Sequence, residues 1–202
     1  MNELPRIIWL EETDSTNSEA RRHLSELDNL SVIAAMYQTA GRGQGDHTWS
    51  ARKGENLTFS AVLKYTPGFL LAKDSLLITE MVTLALRRLL SAHDIDSRVK
   101  WPNDIYVADM KKICGILIEN TFSGDSVTAS IIGVGLDVNQ TEFSPDLPNP
   151  ISMKQILGKD FDLKALMEEL QRYMADALRL LDTDEGRHTL DEEFRSCMFR
   201  LP

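Results

Sequence analysis

The spacing of apolar residues predicts strands over much of the first two thirds of the chain. Short apolar runs at residues 6–10 and 31–38 are typical of buried strands. Residues 56–65 instead alternate apolar and polar positions, which predicts a strand with one face exposed to solvent. Residues 126–139 follow a Ser-Gly-Asp turn and form a longer apolar stretch, which predicts a long strand.

A tight hairpin is predicted where residues 104–109 and 111–122 flank Met110. The run before it, residues 98–101, is expected to be a short strand that stops at Pro102, because proline cannot donate to a ladder. Hairpins join antiparallel strands. We therefore expect a mixed, mostly antiparallel sheet.

The other periodic segments carry apolar residues at helical spacing. The predicted helices cover residues 14–27, 69–92, 152–158, 162–182 and 186–198. Ser15 or Thr16 could cap the first of them, with Glu19 in capping-box position after Thr16, and Asp162 could cap the fourth. Strands dominate the first part and helices the end, which predicts an α+β fold with helices packed on the sheet.

Composition narrows the class of protein. The chain of 202 residues suits one domain, and it has no apolar run near the roughly 18 residues that span a bilayer. Its first residues do not resemble a signal peptide, and its two cysteines lack motif spacing, so we expect a cytoplasmic protein with reduced thiols. The four histidines are scattered, which argues against a zinc site.

The charge is negative overall but unevenly placed. The net charge of −9 argues against broad DNA binding. Residues 160–193 hold eleven acids and four bases, whereas residues 98–112 hold four bases and two acids. This local positive charge in an apolar, strand-rich region would suit a small anionic ligand.

A glycine loop, QTAGRGQGDHTW at residues 38–49, lies between two predicted strands. Glycine lets backbone N–H groups approach a ligand, and Arg42 adds a charged fork, so the loop could bind an anion. The sequence is neither a Walker loop nor a GxGxxG that opens a helix. The alternative is a mobile surface loop.

Two basic positions have similar alternatives. Asn103 and Asp104 follow Lys100 in KWPND, where they could place oxygens beside a metal ion and a phosphate, or simply form a turn at a strand end. Lys112 enters an apolar strand just before Gly115. Its ammonium could lie over a buried ligand, although a lone lysine is usually solvated.

Taken together and in order, these motifs resemble the catalytic domain of biotin protein ligases. The motifs are DSTN, QTAGRGQG followed by Trp49, KWPND, KKICGILIE and GVGLDVN, which extend from Thr13 to Asn139. Lipoate ligases and octanoyltransferases share the fold but lack the loop and KWPND pair. The resemblance implies a biotin–lipoate ligase catalytic domain over residues 1–198, with a fold similar to class II aminoacyl-tRNA synthetases.

The resemblance also implies a two-step reaction. Biotin and ATP, with Mg²⁺, would give biotinyl-5′-AMP and pyrophosphate, and the biotinyl group would then pass to a lysine of a biotin carboxyl carrier protein. A carboxylate and a triphosphate repel each other, so cationic side chains are needed at the point of attack. The glycine loop would act as a lid that shields the mixed anhydride from water.

The family's site residues carry over to matching positions of this chain. Those expected to bind biotin are Ser15, Thr16, Asn17, Gln38, Gly41, Arg42, Lys112 and Gly115. Those expected to bind the nucleotide are Gly43, Trp49, Lys100, Asn103 and Asn139. The expected catalytic residues are Lys112, Arg42 and Asp104. Asp104 would help to remove the acceptor lysine's proton or orient its amine, and Asn103 and Asp104 form the candidate Mg²⁺ neighbourhood.

Two departures from the family's pattern qualify these expectations. Gln44 stands where many members have a second loop arginine. In the family that arginine is associated with keeping biotinyl-5′-AMP bound, so this chain could hold the intermediate differently. The chain stops near residue 202, where a small β-barrel-like domain would begin, and no N-terminal helix-turn-helix precedes the first strand. We therefore expect a single-function ligase without DNA binding.

Two alternative functions remain. One is a lipoate or octanoate enzyme of the same fold, and the other is a biotin-binding module with weak transfer. The strand KICGILIEN could also pair with the same strand of a second copy of the chain.

Overall fold

The computed structural model describes residues 4–199, so residues 1–3 of the expected catalytic domain lie outside it. The strands are β1 Ile7–Leu10, β2 Val32–Ala35, β3 Leu57–Lys64, β4 Arg98–Lys100, β5 Asp104–Val107, β6 Lys111–Ser123, β7 Ser126–Leu136 and β8 Met198–Phe199. The helices are α1 Thr16–Arg22, α2 Leu76–Ala92, α3 Met153–Leu157, α4 Leu163–Arg179 and α5 Asp184–Cys197.

All eight strands belong to one sheet in the order β1-β2-β3-β7-β6-β5-β4-β8. The β1–β2 and β4–β8 pairs are parallel, and the five pairs between them are antiparallel. The predicted hairpin between β5 and β6 is present. The expected α+β fold with a mixed, mostly antiparallel sheet is therefore confirmed.

The two faces of the sheet are covered differently. Helices α2, α4 and α5 pack together on one face and bury the main core, which includes Phe59 of β3 and Val134 and Leu136 of β7. The short helix α1 covers part of the other face through a second cluster that includes Ala20 and Val62. The end of that face beside α1, over β6 and β7, is where the candidate site lies.

Strand β3 corrects the expectation of a half-exposed strand. Its residues Leu57–Leu63 are all buried, and only Lys64 is partly exposed. The polar positions that suggested solvent, Thr58 and Ser60, are covered because α1 and its flanking loops lie over them. A polar side chain in an alternating pattern can face a buried hydrogen-bond network as well as water.

The first helix is shorter than predicted and has a different start. It ends at Arg22, and residues 23–26 form turns. Ser15 occupies the N-cap position without a side-chain cap hydrogen bond, so the expected cap by Ser15 or Thr16 is wrong. Both side chains are buried beside the cavity instead.

The later helices follow the sequence signals more closely. Ser152 forms a capping box with Gln155, Gly158 ends α3 with φ of 70°, and Asp162 caps α4 through two backbone N–H groups. The helix predicted from residue 69 begins at Leu76, after a short 3₁₀ turn. The predicted last helix stops at Cys197, because the next two residues form β8 beside β4. Within the described residues, no helix is both long and apolar enough to cross a bilayer.

Candidate active site

A cavity of about 270 Å³ lies between α1, the glycine loop, the KWPND turn and the middle of β6 and β7. Twelve predicted site residues line it: Ser15, Thr16, Asn17, Gln38, Arg42, Gly43, Trp49, Lys100, Asn103, Asp104, Lys112 and Gly115. These residues come from distant parts of the chain. The sheet order places them together because β6 and β7 pair in the centre, between the loop side and the KWPND side.

One end of the cavity is a buried polar network on α1, β3 and the glycine loop. Gln38 Oε1 accepts from the backbone N of Thr16 at 2.8 Å and from its Oγ1 at 3.1 Å. The Ser60 hydroxyl lies 2.8 Å from Thr16 Oγ1 and 2.6 Å from Asn17 Oδ1. Because an amide oxygen only accepts, Ser60 donates to Asn17. This fixes the orientation of the donors and acceptors that face the cavity.

Ser60 is a site residue that the sequence reasoning missed. It is fully buried on β3, although the alternating pattern of this strand predicts that the position faces solvent. The sequence signal for a buried Ser60 was the apolar Val62, which lies two residues later on the same face of the strand. Its partners Thr16 and Asn17 are both almost fully buried, so the network is shielded from water.

Glu119 of β6 continues this network toward the glycine loop. Its Oε2 accepts from Asn17 Nδ2 at 2.8 Å, and its two oxygens accept from the Arg42 guanidinium at 3.2 and 2.9 Å. Arg21 of α1 also approaches it at 2.9 Å. Burial favours a higher pKa for Glu119, but the hydrogen bonds from Asn17 and Arg42 outweigh it and lower the pKa below its usual value. Glu119 was also absent from the sequence predictions.

The floor of the cavity is made of glycines. Gly115 of β6 and Gly135 of β7 are direct partners across the two strands, and the Trp49 indole lies against both. A Cβ on Gly135 would overlap the indole, and one on Gly133 would overlap the Asn17 side chain. Only Gly115 was predicted. The repeated glycines of GVGL, two apart on one strand face, were the signal for the other two.

The position of Lys112 depends on an irregularity in β6. Ile105 pairs with Cys114 and Tyr106 pairs with Lys112, so Ile113 is an extra residue on the β6 side. This bulge shifts the alternation and brings the Lys112 ammonium 3.3 Å from the place where a Gly115 Cβ would lie. Without it, Lys112 would face away from the cavity.

The Lys112 ammonium has two neighbours in the cavity. It forms an ion pair with Asp104 Oδ1 at 2.8 Å, and it lies 5.8 Å from the centre of the Trp49 ring. Both members of the ion pair are mostly buried, with side-chain exposures of 29% and 22%. A strand-borne positive charge therefore faces the floor beside the aromatic ring.

The KWPND turn is held against β6. Asn103 Nδ2 donates to the Ile116 carbonyl at 2.6 Å, and the Ile116 N–H donates back to the Asn103 carbonyl at 3.1 Å. The Trp101–Pro102 peptide bond is cis. Lys100 lies over the Tyr106 ring at 5.5 Å. Asn103 and Asp104 both line the cavity at this turn.

The glycine loop is closed over the cavity as a small hairpin. Arg42 and Thr48 form an antiparallel bridge, Gly43 N–H donates to the His47 carbonyl at 2.7 Å, and Gly45 has a positive φ of 63° in the turn. The Gly43 amide is thus used inside the hairpin. In this conformation the anion site expected from the loop rests on Arg42 rather than on that amide.

Gly41 and Asn139 do not line the cavity. A Cβ on Gly41 would overlap the Trp49 carbonyl, so this glycine allows the two ends of the hairpin to come together. Asn139 exchanges two 2.9 Å hydrogen bonds with the backbone of Phe161, between α3 and α4. The structure therefore connects Asn139 to the helical part of the chain, and its expected contact with a nucleotide remains a prediction.

A second carboxylate lies near the ammonium. Asp137 follows β7 directly and is 5% exposed. Burial raises its pKa well above the usual value, and the charge of Lys112 offsets this only in part. Burial likewise raises the pKa of the Cys114 thiol. The described residues contain no cluster of three His, Cys, Asp or Glu side chains arranged to hold a metal ion by themselves.

Comparison with known proteins gives a consistent result. Residues 9–137 match the model of the Biotin/lipoate A/B protein ligase family. The chain is 31% identical over 173 residues to the bifunctional ligase/repressor BirA of Escherichia coli, and the match covers 85% of this chain and 53% of that protein. It is 28% identical to the biotin–[acetyl-CoA-carboxylase] ligase of Paracoccus denitrificans, with 86% and 73% covered.

The solved structures agree in fold. The biotin protein ligase from Aquifex aeolicus in complex with biotin and ATP superposes with a TM-score of 0.82 and 26% identity, over 96% of this chain and 78% of that one. The chain spans about half the length of the Escherichia coli relative that it matches.

Proposed function

The chain belongs to the biotin/lipoate A/B protein ligase family, and on that premise we propose that it is a biotin–protein ligase. The enzyme converts biotin and ATP to biotinyl-5′-AMP, then transfers the biotinyl group to a lysine of a biotin carboxyl carrier protein. The observation that carries the proposal is the closure of one cavity by the glycine loop, with a hydrogen-bonding end at Thr16 and Gln38 and a cationic end at Lys112.

The polar end suits the cyclic urea of biotin. A urea has one acceptor oxygen and two N–H donors, and the buried Thr16 and Asn17, with the partly buried Gln38, offer both kinds of group. A buried urea group without partners would cost about 1–3 kcal/mol. Ser60 supports the recognition by fixing the amide of Asn17.

The cationic end suits the first step. The biotin carboxylate attacks the α-phosphorus of ATP, a new P–O bond forms, and the bond to pyrophosphate breaks. The Lys112 ammonium, at the floor of the cavity, would stabilise the negative charge that the two reactants bring together. Arg42 on the glycine loop and Lys100 at the rim would add to this effect.

Mg²⁺ would arrive with the nucleotide as part of the substrate. The residues fit this ion, because Asn103, whose Nδ2 bonds to Ile116, can offer its amide oxygen, and Asp104 supplies a carboxylate at the cavity wall. Mg²⁺ prefers such oxygen ligands and usually takes only one or two of them from the protein. Bound there, the ion would neutralise charge on the leaving pyrophosphate.

The second step needs a neutral amine. The acceptor lysine attacks the biotinyl carbonyl, the new C–N bond forms, and AMP leaves with the electrons of the C–O bond. Asp104 would orient this amine or take its proton, since its carboxylate reaches the cavity beside Lys112. The closed glycine loop would exclude water until the carrier protein arrives.

The proposal also covers the domain bounds, the cellular location and the protein partners. We place the catalytic domain at residues 1–198 and the enzyme in the cytoplasm. The carrier domain is the proposed protein partner. Self-association through β6 is a further proposal, because β5 pairs with β6 as far as Gly115 and Asn103 bonds to Ile116, whereas the described part of β6 beyond Ile116 has no strand partner on that edge.

The test combines purified protein, Mg²⁺-ATP and biotin, and measures pyrophosphate and biotinyl-5′-AMP, followed by transfer to a carrier domain. We expect both steps with biotin and neither with octanoate or lipoate. Activity with octanoate or lipoate alone would instead identify an enzyme for those acids. Biotin binding without pyrophosphate release would identify a binding module.

The matched variants are Lys112→Ala and Lys111→Ala. Lys112 faces the cavity, whereas Lys111 is its exposed neighbour on the same strand. Loss of one group that stabilises charge in the transition state typically costs 10²–10³-fold, so we expect about that loss of adenylation for Lys112→Ala. Lys111→Ala should retain the full rate, and equal rates for the two variants would contradict the role of Lys112.

A further inference from the structure

Glu119 lies at the rim of the cavity, where the glycine loop and α1 both reach β6. Arg42 approaches it with Nη1 at 3.2 Å from Oε1 and Nη2 at 2.9 Å from Oε2. Two parallel hydrogen bonds of this kind fix direction as well as distance. Since Arg42 belongs to a largely exposed loop and Glu119 to a central strand, the pair ties the loop to the sheet.

The same carboxylate is joined to the polar end of the cavity. Asn17 Nδ2 donates to Glu119 Oε2 at 2.8 Å, while Asn17 Oδ1 accepts from Ser60, which contacts Thr16. A continuous hydrogen-bonded chain therefore runs from the proposed urea site to the loop arginine. A ligand that reorients Asn17 would change the hydrogen bonding of the carboxylate that holds Arg42.

We propose that Glu119 is a positioning residue that holds the glycine loop closed through Arg42 and links this closure, through Asn17, to occupation of the polar end. The link to the polar end rests on the proposed function, because its test uses biotin. The role of Glu119 in holding the loop does not. Glu119 itself does not line the cavity, so it acts through its neighbours rather than on the reacting atoms.

The ion pair between Arg42 and Glu119 leaves this region of the cavity rim attractive to anions. Two guanidinium groups, Arg42 and Arg21, share the one carboxylate, so the cluster of three side chains has a net positive charge. The Glu119 side chain is 23% exposed, which shields the pair from solvent more than a free surface pair. An anionic ligand can therefore approach Arg42 while the loop is held in place.

Loop opening can be measured in the ligand-free protein by endoproteinase Asp-N, which cuts before Asp46 in the exposed turn of the loop. A cut at the Gly45–Asp46 bond is followed by fragment mass. We expect Glu119→Gln to raise the rate of this cut about fivefold, as suits the loss of a partly buried ion pair. Arg42→Gln should give a similar increase, and the double variant no further increase.

Arg21→Gln is the matched control, because it removes the other arginine from Glu119 and leaves the loop contact intact. It should change the rate less than twofold. An unchanged rate in Glu119→Gln, an equal rise in Arg21→Gln, or additive effects in the double variant would overturn the inference. If Glu119→Gln does not fold by circular dichroism, Arg42→Gln decides in its place, and an unchanged cut there overturns the inference.

Biotin provides the second arm. In the wild-type protein biotin should slow the cut before Asp46, and Glu119→Gln should lose most of this protection even where calorimetry shows that biotin is bound. Equal protection in both proteins would overturn the link through Asn17. A wild-type protein that binds no biotin would contradict the proposed function, and the ligand-free cutting rates would still decide whether Glu119 holds the loop.

Discussion

Gly115 and Gly135 face each other across β6 and β7, and together they form a floor without side chains. The Trp49 indole lies against this floor, so that a Cβ at Gly135 would overlap the ring and a Cβ at Gly115 would lie 3.1 Å from its Cζ3. The glycines of two strands thus decide where a tryptophan from a distant loop can rest. Loop closure and sheet sequence are coupled at this contact.

Gly135→Ala is expected to displace Trp49 from the floor. The added Cβ would overlap the indole, whereas the backbone of a strand accepts alanine readily. We expect a red shift of tryptophan fluorescence and a loss of adenylation of about 10²-fold, which is the loss typical of a substrate misplaced by about 1 Å.

Gly115→Ala is the milder comparison, because its Cβ would lie 3.1 Å from Trp49 Cζ3 and 3.3 Å from Lys112 Nζ, both at the ends of side chains that can move. Its loss of adenylation should be smaller than that of Gly135→Ala. If Gly135→Ala kept the wild-type fluorescence and rate, the described position of Trp49 would have no role in the reaction.

Ser60→Ala is expected to weaken biotin binding and stability together. The change leaves Asn17 Oδ1 without its donor in a buried position, which costs about 1–3 kcal/mol of the free energy of unfolding. It also leaves the Asn17 amide held only through its Nδ2, which bonds to Glu119, so the biotin affinity measured by calorimetry should fall about tenfold.

Thr58→Ala is the matched control for Ser60→Ala. Thr58 lies two residues earlier on the same face of β3 and donates to the Ala35 carbonyl at 2.8 Å, away from the cavity. It should lower the free energy of unfolding by a similar amount but leave biotin affinity unchanged. Equal losses of affinity in both variants would show a general effect of destabilisation.

Much of the fold follows from periodicity, because the strands and helices that carry the core have regular apolar spacing. Asp162 and Ser152 mark helix starts by local chemistry alone, and both predictions are confirmed. The two-residue strand β8 could not be predicted, since it depends on the edge of β4 rather than on its own sequence. The exposed face assigned to β3 was wrong because periodicity does not distinguish water from a buried network.

In the site, too, the sequence predicted the features that depend on local motifs and missed those that depend on contacts between strands. The motifs identified most of the residues that line the cavity, because each motif is continuous in sequence. Ser60, Glu119 and Gly135 were missed because their importance lies in contacts across strands. The inward direction of Lys112 was expected from resemblance, but its physical cause is the bulge at Ile113, which no local pattern indicates.

Asp104→Asn separates the two chemical steps. The variant keeps the shape of the side chain but removes the charge that pairs with Lys112 and the group that could take a proton. Transfer from preformed biotinyl-5′-AMP to a carrier domain should fall about 10²-fold or more, as for other losses of general-base catalysis, and formation of biotinyl-5′-AMP should fall less. Asp109→Asn is the control, since Asp109 is exposed and asparagine tolerates its φ of 58°. Unchanged transfer in Asp104→Asn would remove Asp104 from the mechanism.

Glu80 predicts how stability depends on pH. This carboxyl of α2 is 2% exposed. Burial and the nearby negative charge of Asp191 raise its pKa to about 7, although the positive charge of Arg195 acts in the opposite direction. The folded state therefore holds a proton that the unfolded state releases near pH 4.5, so stability falls as the pH rises from about 4.5 to about 7. Glu80→Gln removes this loss and should raise the free energy of unfolding by up to about 3 kcal/mol at pH 8, with a much smaller gain at pH 5. Urea unfolding at both pH values measures the gain, and Glu192→Gln on the exposed side of α5 is the control. The same gain at pH 5 and pH 8 would show that Glu80 does not titrate in this range.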